Sequence, residues 1–140
     1  TGSCGYPTIA CDDGSVETQD ACDPSNGACL FTPIPLDPVP DAFFSGRAVL
    51  QWTPTPLSSH WNSYRGTIPA GLIGGRMEPY DHLCYESADR LGDGATLTTD
   101  HTEPPEGTAW YYLVNAENRF GEGPLGEGGA IWPPHPCLTP

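Results

Sequence analysis

Glycine and proline punctuate this chain so densely that a helical core is out of reach. Seventeen of each are spread through 140 residues. Together they interrupt every window long enough for an apolar stripe at helical spacing. What survives between the breaks is short and alternating. "RAVLQWT" places Ala48, Leu50 and Trp52 on one side and Arg47, Val49 and Gln51 on the other. "SHWNSYRG" reads as a second strand, "GATLTT" as a third, and "GAIW" as the last. "TAWYYLVNAEN" is the longest, with Tyr112, Val114 and Ala116 on one face and Tyr111, Leu113 and Asn115 on the other. Short strands between Gly/Pro-rich turns predict an all-β antiparallel sandwich or barrel.

The core available to such a fold is thin, with 24 Leu, Ile, Val and Phe against a formal net charge of −13. Four Trp and six Tyr enlarge it, because each aromatic side chain buries a large area. Six Cys add cross-links. Their even number suits full pairing, which predicts a home outside the reducing cytosol, periplasmic or extracellular, with an extracellular or cell-surface location preferred. There is no lysine, and the acidic balance argues against nucleic acid and anionic membranes as partners. No apolar run reaches membrane-spanning length and no leader-like segment is present, so a chain starting at Thr1 reads as a mature or trimmed product. Without an Asn-x-Ser/Thr sequon, glycosylation would be O-linked, for example at Thr53 or Thr55.

Composition divides the chain into three. Residues 1–32 hold Cys4, Cys11, Cys22 and Cys29, five acidic residues and no basic one. Residues 33–40, "PIPLDPVP", read as an extended polyproline II spacer. Residues 41–140 hold all five Arg, all four Trp and the strand-like runs.

Three readings of "CDDGSVETQDACDPSNGAC" compete. A segment of about 30 residues cannot build its own core, so its cysteines act first as a staple. The carboxylates of Asp12, Asp13, Asp20 and Asp23 offer hard oxygen ligands and make a weak calcium site the second reading, although their spacing is not that of a helix–loop–helix calcium loop. Zinc or thiol-redox chemistry comes last, because the segment has no Cys-x-x-Cys and no His. The four Cys allow three connectivities.

Two resemblances follow from the residues. Leu50, Trp52 and Pro54, then Trp61, Tyr64 and Arg65, then Tyr112, Val114, Ala116 and Asn118 with Gly121–Gly123, resemble the strand signatures of a fibronectin type III domain over roughly residues 41–132. The resemblance implies an immunoglobulin-like antiparallel β-sandwich. Trp52 would lie between its sheets, and Tyr112 would sit where a tyrosine hydroxyl ties down a loop. The departure is the long middle, "TIPAGLIGGRMEPYDHLCYESADRLGDG", which carries Cys84. A variant with this Cys and Cys137 resembles modules of secreted multi-domain proteins of delta-type proteobacteria. The simplest account is a Cys84–Cys137 bridge pinning the tail "WPPHPC" to the insertion. In the arm, Cys11, Asp12, Asp13, Gly14, Thr18, Asp20, Cys22, Gly27 and Cys29 resemble a slime-mould-type extracellular Cys repeat, with Glu17 where that repeat has a Cys. This resemblance implies an extracellular, matrix-like setting without catalysis.

Catalytic signals are weak. His60, His82, His101 and His135 are scattered. Tyr80-Asp81-His82 beside Cys84 would need a free thiolate. Glu103 and Glu106 flank a Pro-Pro turn, and Gly71–Gly75 lacks the Lys of a phosphate loop. The expectation is a non-enzymatic secreted module without a cofactor beyond weak calcium. A structural or adhesive role ranks first, through self-assembly into a fibre or surface layer. Its candidate patch is Tyr64, Tyr111 and Leu113 on an outer sheet face, and its partners are copies of itself or other extracellular proteins. The alternative is a carbohydrate-binding accessory module. Aromatic side chains exposed in a groove favour the alternative, and a continuous apolar outer face favours assembly.

Overall fold

The computed structural model describes residues 2–5, 8–72, 81–126 and 136–137, and all regular elements among them are strands. Two compact units divide the chain, Thr1–Pro35 and Leu36–Pro140. The expected strand "GAIW", the segment 132–135 of the tail, and Tyr6, Tyr80 and His135 lie outside the described residues.

The first unit is a pair of antiparallel hairpins, a feature that the composition of the arm did not announce. β1 (Gly2–Gly5) pairs with β2 (Thr8–Cys11), and β3 (Thr18–Cys22) with β4 (Cys29–Pro33). The β3–β4 turn folds because Asp23 organises it. The Asp23 carboxylate accepts hydrogen bonds from the Ser25 amide at 2.9 Å and the Ser25 hydroxyl at 2.6 Å. Gly27, at φ +75°, supplies the left-handed residue that the turn requires. Cys22 and Cys29 then face each other across the last rung. A Cys11–Cys29 disulfide fastens β2 to β4, and Cys22 is disulfide-bonded as well. Apolar burial contributes little here, since Val16, Leu30 and Phe31 are exposed.

The second unit is a sandwich of two antiparallel sheets. β5 (Ala42–Phe44), β6 (Val49–Trp52) and β9 (Leu97–Thr99) form one, in the order β5-β6-β9. The other, ordered β11-β10-β7-β8, comprises β7 (His60–Ile68), β8 (Leu83–Ser87), β10 (Ala109–Asn118) and β11 (Gly121–Glu122). The alternation in β6 points Leu50 and Trp52 inward, where they meet Val114 of β10, with Trp61, Tyr112 and Val39 packed around them. Val39 and Leu36, whose Cβ stands against Gly123, place the second half of the Pro-rich segment on the sandwich. The boundary between units therefore falls at Pro35/Leu36, inside the expected spacer.

Strand β8 was hidden in the long insertion. It pairs with β7 through a β-bulge, so that Tyr64 faces Cys84 while Ser63 faces Glu86. The extra residue, Tyr85, is turned towards the other sheet, and its hydroxyl donates to the Thr99 carbonyl at 3.0 Å.

Candidate functional site

Four donors converge on the carboxylate of Asp100, at the end of β9. Oδ2 accepts from Arg65 Nη1 at 2.6 Å and from the Tyr112 hydroxyl at 2.7 Å. Oδ1 accepts from the Thr102 amide at 2.9 Å and from the Thr102 hydroxyl. Burial works to raise this carboxyl. The hydrogen bonds from Thr102, Tyr112 and Arg65 outweigh it and hold the pKa at about 2. Burial, with Asp100 as acceptor, pushes the Tyr112 phenol above its ordinary range. Tyr112 thus ties down the loop after β9 through a side chain rather than a backbone carbonyl.

This knot fixes the aromatic groups around it. The Arg65 guanidinium lies over the Trp110 ring, 3.8 Å from its centroid, and also faces Tyr85 at 4.9 Å. Phe44 meets Tyr112 edge-on at 5.6 Å. Above them an open cleft of about 520 Å³ runs between the β5–β6 turn and the loop after β9. Phe44, Trp110 and Tyr112 line it, together with Arg47, Asp100, His101 and Glu103. Arg47 and Glu103 form an exposed ion pair at 3.0 Å on its rim. A second cleft, of about 320 Å³, shares Trp110 with the first and is lined as well by Arg65, Asp81 and Leu83. An arrangement of this kind offers ring faces for stacking and charged donors and acceptors at their edges.

No protein-family model matches the chain, and no curated protein or solved structure is significantly similar to it. Its chemistry has to be argued from its own residues.

The residues singled out in the sequence are placed as follows. Cys84 pairs with Cys137, as expected, so Cys84 is no thiolate partner for His82. The bridge is embedded in a polar cluster: the Cys137 amide donates to the Tyr64 hydroxyl at 3.0 Å, and Tyr64 in turn donates to Glu122. Asn115 reaches the same Glu122 carboxylate at 2.9 Å.

The assembly patch is corrected by this arrangement. Tyr64 is fully buried, packed with Leu125 and Cys137, and Leu113 packs partly buried against them. Tyr111 lies across the glycine facing it on β7: a Cβ on Gly66 would stand 2.3 Å from its ring. The Tyr111 hydroxyl donates to Asp81 at 3.2 Å and lies 3.3 Å from His82 Nδ1. Burial first, then the Asp81 charge, raises its pKa to about 12. Of the expected outer face, Tyr64 is buried and Tyr111 and Leu113 are half-buried.

Of the calcium candidates, Asp12, Asp13 and Asp20 come together, with ligand oxygens within 4.8 Å of one another. Asp23 does not join them, because the Ser25 hydrogen bonds hold it in the β3–β4 turn and lower its pKa. Much of the cluster is occupied with its own loop: Asp12 accepts from the Gly14 amide, and Asp13 from the Ser15 amide and the Thr18 hydroxyl. Sequence reasoning missed Phe44, Asp100 and Trp110. The sequence shows the Trp and Tyr content, but which rings stay open depends on where the loop after β9 turns.

Proposed function

We propose that the chain is a non-enzymatic, extracellular binding module whose cleft at Phe44, Trp110 and Tyr112 takes a carbohydrate ligand. The observation that carries this reading is the convergence of three aromatic rings in one open cleft, held in place from beneath by the Asp100 carboxylate. Sugar rings present apolar C–H faces that stack on aromatic side chains, while their hydroxyls need donors and acceptors at the edge. Arg47, His101 and Glu103 supply those groups. The preformed aromatic floor limits the ordering cost of binding. The disulfides suit an oxidising compartment. A sandwich with strands one, two and five in one sheet and three, four, six and seven in the other supports the fibronectin type III-like reading. Fold alone names no ligand, and the cleft has to do so.

The test is a glycan-array screen of the intact chain followed by calorimetry on the best hit, with Trp110→Ala as comparison. Losing a stacking platform should weaken binding at least tenfold while circular dichroism shows the sandwich retained. An array without hits, or an affinity indifferent to Trp110, would remove the basis for the proposal.

Self-assembly keeps one specific support, at a different place from the expected patch. Among the described residues β5 is an edge strand, paired on one side only, and Phe43 and Phe44 on it are more than half exposed. An open apolar edge is a template for pairing with another chain.

A further inference from the structure

The loop leaving β8 gathers three carboxylates that form no ion pair with an Arg or His among the described residues. Glu86, Asp89 and Asp93 each direct an oxygen into a common space, all within 4.8 Å of one another. Glu86 is buried to within 3% of its surface. Its Oε1 accepts from the Leu91 amide at 2.7 Å, and Asp89 Oδ1 accepts from the Gly94 amide at 2.9 Å. These two bonds shape the loop around the cluster. Asp93 differs: both of its carboxylate oxygens are shielded from solvent, and neither has a hydrogen-bond partner. A carboxylate group cut off from water, without donors and beside a second buried carboxylate, is an unfavourable arrangement unless a cation completes it. Among the described residues, the ion pairs formed by Arg47, His60 and Arg65 all go elsewhere.

We propose that Glu86, Asp89 and Asp93 form a calcium site. The donors are all hard oxygens on an irregular loop, which suits the large, geometrically tolerant coordination shell of Ca²⁺ better than the strict octahedron of Mg²⁺. Transition metals would prefer the nitrogen or sulfur ligands absent from the trio. The site differs from the Asp12–Asp13–Asp20 cluster, whose members are more exposed and belong to the other unit. The position also has a consequence. Glu86 lies two residues after Cys84, and its carbonyl oxygen is 3.6 Å from the Cys137 sulfur. Ala88, in the same loop, donates its amide to Asn62 of β7 at 3.2 Å. Filling the site stabilises the segment that carries the disulfide and the edge strand β8. A loop of this kind fits the weak extracellular range of calcium affinities, about 10⁻⁴–10⁻³ M.

The experiment is a calcium titration of the intact, oxidised chain by calorimetry and thermal melting after chelator treatment, with NaCl at matched ionic strength as control. Wild type should bind calcium and melt at higher temperature with it, and the Asp93→Asn variant should bind at least tenfold more weakly. In chelator the variant should melt no lower than wild type, because it sheds a buried unpaired charge. Asp13→Asn should leave this response intact. Should Asp93→Asn not fold, Asp89→Asn, whose amide oxygen can still accept from Gly94, should likewise bind calcium at least tenfold more weakly. The proposal is overturned if calcium acts no differently from NaCl, if Mg²⁺ acts as strongly as Ca²⁺, or if the foldable variant of the loop responds like wild type.

Discussion

At Asp100 one carboxylate holds Arg65, Thr102 and Tyr112 together, so its ionisation governs the ordering of the cleft. Its folded pKa of about 2 lies below the ordinary carboxylate value. The stability it contributes is therefore complete above about pH 4 and is lost as pH falls through about 2. Replacing it with Ala should cost about 2–4 kcal/mol in urea unfolding, because Arg65 and the Tyr112 hydroxyl lose a shared acceptor. A cost below about 0.5 kcal/mol, the range of ordinary surface substitutions, would show that the knot is cosmetic. Gly66 is a second decisive residue. An added methyl meets the Tyr111 ring, whose far end is held by Asp81, so Gly66→Ala should destabilise by about 1–3 kcal/mol. The tyrosines report the same packing from the alkaline side. Burial raises the phenols of Tyr64, Tyr85, Tyr111 and Tyr112. An acid whose folded pKa is raised loses its stabilising share as pH climbs from the unfolded value, about 10, towards the folded one. Ultraviolet titration should thus show these four lagging until the sandwich opens. Ionisation of all six near pH 10 with the fold intact would contradict the packing of both sheet faces.

Among the elements, those with strict alternation were legible in the sequence and those shaped by tertiary contacts were not. β6 announced itself, because Leu50 and Trp52 stand on one side of a run that needs no partner to be recognised. So did β7, β9 and β10. In β10, however, the two apolar faces were ambiguous: Leu113 and Tyr111 look outward-facing until Leu125, Cys137 and the hydrogen bonds of Asp81 are in place. β8 escaped notice because its bulge breaks the two-residue period at Tyr85. The arm hairpins escaped because paired cysteines, rather than apolar alternation, hold them. The cleft was illegible for the same reason as β8, since it depends on loops whose course no local pattern encodes. Different supports imply different responses. Closing the 18-residue Cys11–Cys29 separation stabilises by about 3 kcal/mol in the chain-entropy picture, and the 53-residue Cys84–Cys137 separation by about 4. Reduction should unfold the arm, whose large apolar side chains among the described residues (Val16, Leu30 and Phe31) are exposed, while the sandwich melts earlier but keeps its near-ultraviolet dichroism. Trp52→Ala should do the converse, costing the sandwich about 3–5 kcal/mol and leaving the arm's disulfides closed. Cooperative loss of both units on reduction alone would refute this division.

For the whole molecule, burial of Tyr64 and partial burial of Tyr111 and Leu113 shrink the surface that favoured self-assembly, and β5 is the more open edge among the described residues. A Tyr111→Ser, Leu113→Ser double variant should therefore unfold the sandwich rather than disperse an oligomer. If wild type does associate, Phe43→Lys on the open edge should shift its sedimentation to that of a single chain. The central functional claim concerns the cleft, and it can be read directly. In a nuclear magnetic resonance titration of the intact, isotope-labelled chain with the glycan selected on the array, the Trp110 indole and the backbone amides of Arg47, His101 and Glu103 should move together and saturate on one isotherm. Saturable shifts confined to other surfaces, with the Trp110 indole unmoved, would contradict the assignment of this cleft as the binding site.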